Sequence, residues 1–155
     1  MNTLGRNQRE LRFQRELNQT SNPIGGDEGL RVQMIAETIA AKRAWVMQLD
    51  MMMQRDERDD VRETLRLIRL DELKHVRLLN ELHVFNDEGR NANERPENVI
   101  DYSRAAKLKL KSAEFVRRIY YSFTDTPARD TIFEIICDDA NNAVRFTLLA
   151  VERGL

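Results

Sequence analysis

Glu72 and His75 sit three residues apart in the run DELKHVRLL at 71–79. On a helix, positions i and i+3 share a face, so this carboxylate and imidazole point the same way. Such a pair either ligates a metal ion or forms a carboxylate–imidazole contact inside a core. What else faces the pair decides between the two. The matching stretch further along reads DDANNAVRF, where the corresponding residues are Asp139 and Asn142. Asp is one methylene shorter than Glu, and an amide is a poor substitute for imidazole on a transition metal.

An internal repeat fixes that correspondence. A gap-free shift of 67 places RETLRLIRLDELKHVRLLNEL at 62–82 on RDTIFEIICDDANNAVRFTLL at 129–149. Arg62 meets Arg129, Thr64 meets Thr131, Leu65 meets Ile132 and Ile68 meets Ile135. Asp71 meets Asp138, Glu72 meets Asp139, Leu79 meets Phe146 and Leu82 meets Leu149. Polar positions agree as well as apolar ones, which favours duplication over a chance match of two amphipathic helices. The same shift carries Lys42 onto Lys109.

The elements that must position these residues are helical. Apolar residues at spacings of three, four and seven predict helices near 27–53, 57–82, 96–123 and 127–153. Asp56 or Asp59 is the expected N-cap of the second helix, and Pro96 suits the first turn of the third. Thr126 with Pro127 marks the start of the fourth, and Gly154 ends it. Residues 1–26 read as a separate arm, mobile or docked on a neighbour, because NQTSNPIGG breaks any helix there. The 13-residue link HVFNDEGRNANER spans roughly 43–47 Å when extended, enough to run the length of a ~25-residue helix. The architecture expected over 27–155 is all-α: an up-down four-helix bundle of two helical hairpins joined by a crossover.

Periodicity also orients the lysines. Ile35, Ile39, Val46, Leu49 and Met53 lie on one stripe with Lys42; Tyr102, Ala106, Ala113, Val116 and Tyr120 repeat that pattern around Lys109. Both lysines therefore point inward. Glu37 and Glu114 are each five residues from a lysine, about 140° around the helix, and face outward.

Composition narrows the function classes. Of 155 residues, 33% are charged and 41% hydrophobic, with a formal net charge of -1, so no nucleic acid or anionic membrane is implied as partner. One cysteine, Cys137, excludes an internal disulfide and is expected to be a buried small hydrophobe. No apolar run reaches the length of a membrane span or forms a signal-peptide core, and a cytoplasmic protein is the expectation. Met47, Met51, Met52 and Met53 read as packing core or dimer face rather than a thioether copper site. Trp45 and Tyr121 extend past the inner stripe, leaving an apolar flank for a second subunit, and a homodimer is expected.

With these residues in view, the chain resembles the ferritin-like superfamily, and within it the small rubrerythrin-type proteins, over roughly residues 30–153. LDELKHVRLLNEL looks like the family's helix 2 signature, AEFVRRIYYSF its helix 3, and RDTIFEIICDDANNAVRF its helix 4, where Asp-Glu-x-x-His is usual. The resemblance implies a ferritin-like bundle with six ligands for two metals, iron or manganese: a Glu from each hairpin's first helix and a Glu-x-x-His from its second. The first-helix Glu usually lies about 30 residues before the Glu-x-x-His, and here those positions hold Lys42 and Lys109. Glu37 and Glu114 are the competing candidates, but their offsets of 35 and 25 disagree where a two-fold repeat needs equal ones. Two Glu-to-Lys changes shift the charge by +4, the amount two divalent metals would bring. Lys42, Lys109, Glu72 and Asp139 then sum to zero, completed by His75 and Asn142 as a vestigial network.

Three readings follow. The first is a non-catalytic structural or partner-binding protein with a degenerate di-metal site, no cofactor and a protein partner not specified by the sequence; spore-coat association is the fold-level analogy. The second is an active di-metal oxidoreductase handling peroxide or iron, using Glu37 and Glu114. The third is a single-metal site of Glu72, His75 and Asp139.

Overall fold

The computed structural model of the chain describes residues 28–82 and 98–154. They form four helices: α1 Glu28–Arg55, α2 Asp59–Leu82, α3 Tyr102–Ser122 and α4 Thr126–Glu152. The expected N-terminal arm, residues 1–26, and the long link with Pro96 lie outside the described residues. The chain divides after Leu30 into two units, and the bundle belongs to the second, Arg31–Leu155.

Contacts at the ends give the helix directions. Asp56, just after α1, accepts a hydrogen bond from the Tyr102 hydroxyl at the start of α3 at 2.5 Å, and pairs with Arg153 at the end of α4. At the other end, Arg31 near the start of α1 donates to the Ser122 carbonyl at the end of α3 at 3.2 Å. Helices α1 and α4 thus run one way, and α2 and α3 the other. Helix α2 finishes at the end opposite to where α3 begins. The architecture is an all-α bundle of two antiparallel helical hairpins, as the sequence predicts; the link expected to form the crossover lies outside the described residues.

Helix starts differ from expectation by small amounts with clear causes. Helix α3 begins at Tyr102, not near Pro96: Asp101 is its N-cap, accepting from the Arg104 N–H at 2.7 Å. Helix α4 is capped by Asp125 rather than Thr126, through the Ala128 N–H at 3.0 Å. The Asp125 carboxylate reaches that orphan N–H and adds favourable charge at the helix N-terminus. Neither Asp56 nor Asp59 is the N-cap of α2. The Arg58 carbonyl accepts the first helical bond, from Arg62 N at 3.0 Å, Asp59 sits in the first turn, and Asp56 staples the bundle end. Gly154, at φ 70, closes α4 in the left-handed region.

The core is two apolar clusters. One gathers Leu49, Leu65, Ile68, Tyr102, Phe146 and Leu149; the other Ile35, Ile39, Leu79, Val116, Ile132 and Ile135. Shifting by 67 exchanges them: Leu49 with Val116, Leu65 with Ile132, Ile68 with Ile135, Leu79 with Phe146. The duplication is therefore a pseudo-two-fold that swaps hairpins and bundle ends. In every helix the positions between the two clusters are occupied by Lys42, Glu72, Lys109 and Asp139. Cys137 is half-buried rather than buried. Of the methionines named above, only Met52 is fully buried.

Candidate functional site

One polar layer crosses the middle of the bundle. Lys42, Glu72, His75, Lys109, Asp139 and Asn142 are each 0–1% exposed. All six predicted site residues are thus brought together, one or two from each helix. Glu37 and Glu114 are exposed, as their periodicity requires.

The four charges form a closed, alternating ring. Lys42 Nζ lies 2.5 and 2.6 Å from the two oxygens of Asp139, and Lys109 Nζ lies 2.5 Å from Glu72 Oε1. The remaining sides are longer: Lys42 to Glu72 at 3.5 Å and Lys109 to Asp139 at 3.4 Å. The repeat operation maps Lys42–Asp139 onto Lys109–Glu72, so equivalent sides match in length. Short sides join the two hairpins; long sides stay within one.

Burial and mutual charge set the protonation. Burial alone would raise the Asp139 carboxyl, but the Lys109 and Lys42 ammonium groups and bonds from Lys42 and Ser112 outweigh it and hold it below its usual value. Lys109 is pushed down by burial and by Lys42, against the pull of Glu72 and Asp139. Its ammonium also sits 4.3 Å from the Trp45 ring centroid, a cation–π contact that covers the side left without an acceptor.

His75 does not close the ring as the sequence led us to expect. Its Nε2 faces Asp138 Oδ2 at 3.0 Å, while Nδ1 is 3.7 Å from Glu72 Oε1, beyond hydrogen-bond range. Burial and Lys42 lower the His75 pKa despite the bond to Asp138, so the ring is neutral with its proton on Nε2. Asp138 is held ionised: burial opposes this, but Lys74 and His75 prevail. The Nδ1 lone pair is therefore buried and has no hydrogen-bond partner.

Asn142 likewise does not bond to the ring. Its Oδ1 accepts from Arg145 Nη1 at 2.8 Å, and the same nitrogen reaches Asp71 at 3.1 Å. By the repeat, Asp71 is the twin of Asp138 and Asn142 the twin of His75. Arg145 spans the gap that a histidine at 142 would bridge to Asp71 directly. Sequence reasoning matched Asp71 with Asp138 but gave neither a role, and it missed Arg145 altogether. Ser112, the twin of Trp45, was also missed; its hydroxyl donates to Asp139 Oδ2 at 2.7 Å.

The layer's fit to metals follows from these donors. A pair of divalent ions does not fit: the two first-helix positions present ammonium groups, which cannot ligate while protonated and would repel a cation. Glu72, His75 and Asp139 do offer ligand atoms within 4.8 Å of one another. Both carboxylates, however, are engaged by Lys42 and Lys109.

These features define an all-α four-helix bundle with a buried four-charge ring. Comparison with protein families, curated proteins and solved structures finds no match for this chain.

Proposed function

We propose that the chain is a non-catalytic structural or partner-binding protein of the ferritin-like kind, whose di-metal centre is replaced by a lysine–carboxylate network. The observation that carries this reading is the ring itself: two buried ammonium groups stand in the charge positions that two metals would fill, and the sum with Glu72 and Asp139 is zero. A buried charge persists only when paired, and here each has partners from two helices. Metal analysis of protein purified without chelators, with an iron-oxidation assay, tests it. The expected result is substoichiometric iron, manganese and zinc and no oxidation above background. Stoichiometric metal liganded by Glu37 or Glu114 would overturn it.

A second reading, a single-cation site, is favoured by the bare His75 Nδ1 lone pair beside Glu72. It expects one equivalent of metal that is lost in His75→Gln, whereas the first expects no difference between the two proteins.

A homodimer belongs to the same proposal. Phe133, Val144, Leu148 and Val151 make an apolar stripe on α4, each 57–68% exposed. Sedimentation should give twice the chain mass, reduced by Leu148→Glu. Among the described residues, no helix is long and apolar enough to cross a membrane. A cytoplasmic location stays part of the proposal, as does the analogy to spore-coat proteins.

A further inference from the structure

Helix α3 differs from α2 in how its charges are arranged. On α2 every basic side chain has a carboxylate partner: Arg62 with Asp59, Arg66 with Glu63, Arg69 with Asp50, Lys74 with Glu134 and Asp138, Arg77 with Glu81. On α3 the exposed cations Arg104, Lys107, Lys111, Arg117 and Arg118 have no ion pair among the described residues, and Glu114 is the one exposed carboxylate of that helix. Uncompensated like charges along one helix raise the energy of the isolated bundle.

Three of these cations lie at heptad spacing. Arg104, Lys111 and Arg118 are seven apart, and Leu108 and Phe115 fall between them on the same stripe. That stripe borders an open groove of about 500 Å³ between α1 and α3. Its other wall is α1, with Ala41, Ala44 and Trp45. On the α1 side it runs from Glu37 to Gln48, about 16 Å at 1.5 Å per residue, or three helical turns. Ala41 and Ala44 beside Trp45 on one wall, Leu108 and Phe115 on the other, and Lys111 between them, with Arg104 and Arg118 one turn beyond on the same α3 stripe, suit a helix laid along the groove.

We propose that the α1–α3 groove is the docking site for an acidic amphipathic helix of a partner protein. Its apolar face would lie against Ala41, Ala44, Trp45, Leu108 and Phe115, and carboxylates at seven-residue spacing would meet Arg104, Lys111 and Arg118. This gives the partner-binding part of the proposed function a surface. It rests on that reading only in its class of partner: of the ring's contacts, only Trp45 and Ser112 line the groove, and none of the four ring charges does.

The test is selection of random 16-residue peptides displayed on phage against the full chain, followed by titration of the synthetic winners. Trp45, the single tryptophan, lines the groove and reports occupancy by its own fluorescence. The expected winners carry apolar residues at three- and four-residue spacing with interleaved Asp or Glu, and bind more weakly as salt rises. They shift Trp45 emission to the blue. Their affinity should fall at least tenfold in the triple variant Arg104→Glu, Lys111→Glu, Arg118→Glu and in Leu108→Ser, both of which should keep a cooperative thermal melt. Winners without acidic residues, or winners that bind the triple variant equally, would overturn the proposal. So would tighter binding of a single-stranded oligonucleotide or of phosphatidylserine vesicles than of any peptide, or loss of Trp45 response through self-association of the chain. Metal content plays no part in this readout, so its outcome stands apart from the test of the ring.

Discussion

Lys42 is held by both oxygens of Asp139 on the far hairpin and only loosely by Glu72. Lys42→Met therefore leaves a buried carboxylate short of its main partner and should cost about 3–5 kcal/mol in urea unfolding. Adding Asp139→Asn should recover most of that loss, because partner and charge leave together; adding Glu72→Gln should recover less. If Lys42→Met unfolds like the parent, the ring is not a stabilising network. His75 gives a second test. Its folded pKa lies below the ordinary 6.5, so between those values the unfolded chain binds more protons. Its contribution to stability is present above about pH 6.5 and falls as pH drops toward the folded value. Asp139, also depressed, adds a further loss below its ordinary value of 3.8. In His75→Gln the first fall should vanish and the second remain; an unchanged profile between pH 7 and 5 would contradict a buried neutral imidazole.

At the scale of elements, the helices are held by short devices at their ends. Asp125 caps α4, and Asp125→Ala should lower stability by about 1 kcal/mol. Asp56 ties three elements: it accepts from Tyr102 of α3, pairs with Arg153 after α4 and receives the Arg58 N–H at the start of α2. Burial would raise its pKa, but the Tyr102 hydroxyl, the Arg58 amide and the Arg153 charge lower it. Asp56→Ala strips the buried Tyr102 hydroxyl of its acceptor and should cost about 1–3 kcal/mol. Tyr102→Phe should soften that penalty when combined with it. Hydrogen exchange should show the loss first in the last turn of α1 and the first turn of α3; uniform loss over the bundle would argue that Asp56 acts on the whole core instead.

For the whole molecule, the pseudo-two-fold gives the ring two equivalent short sides, each tying one hairpin to the other. The hairpins thus depend on each other for charge balance as well as for apolar burial. Replacing both lysines, Lys42→Glu with Lys109→Glu, gathers four carboxylates in one dry layer and should leave the metal-free protein unstable or unfolded. Combined with Asn142→His, that variant should regain a cooperative melt in Mn²⁺ or Fe²⁺, whereas without the histidine the recovery should be partial. The parent should melt at the same temperature with and without these ions. A parent melt raised by several degrees in Mn²⁺ would favour the single-cation reading.

The sequence by itself determined the four helices, which face of each is buried, and the six positions of the polar layer, since all follow from a 3.6-residue period and a 67-residue repeat. It also placed Glu37 and Glu114 outside, by the same arithmetic. It placed the start of α3 near Pro96, too early, because a proline suits a first helical turn, whereas the helix starts after the Asp101 cap. It did not determine who pairs with whom. A helical period fixes the angle at which Lys42 leaves α1, but not which helix lies opposite or how far a four-carbon stem must reach. Only packing put Asp139 across from Lys42, turned His75 toward Asp138 instead of the ring, and let Arg145 fill the place of a second histidine. Pairing in a core depends on distances between elements far apart in the chain, and those exist only once the hairpins have docked.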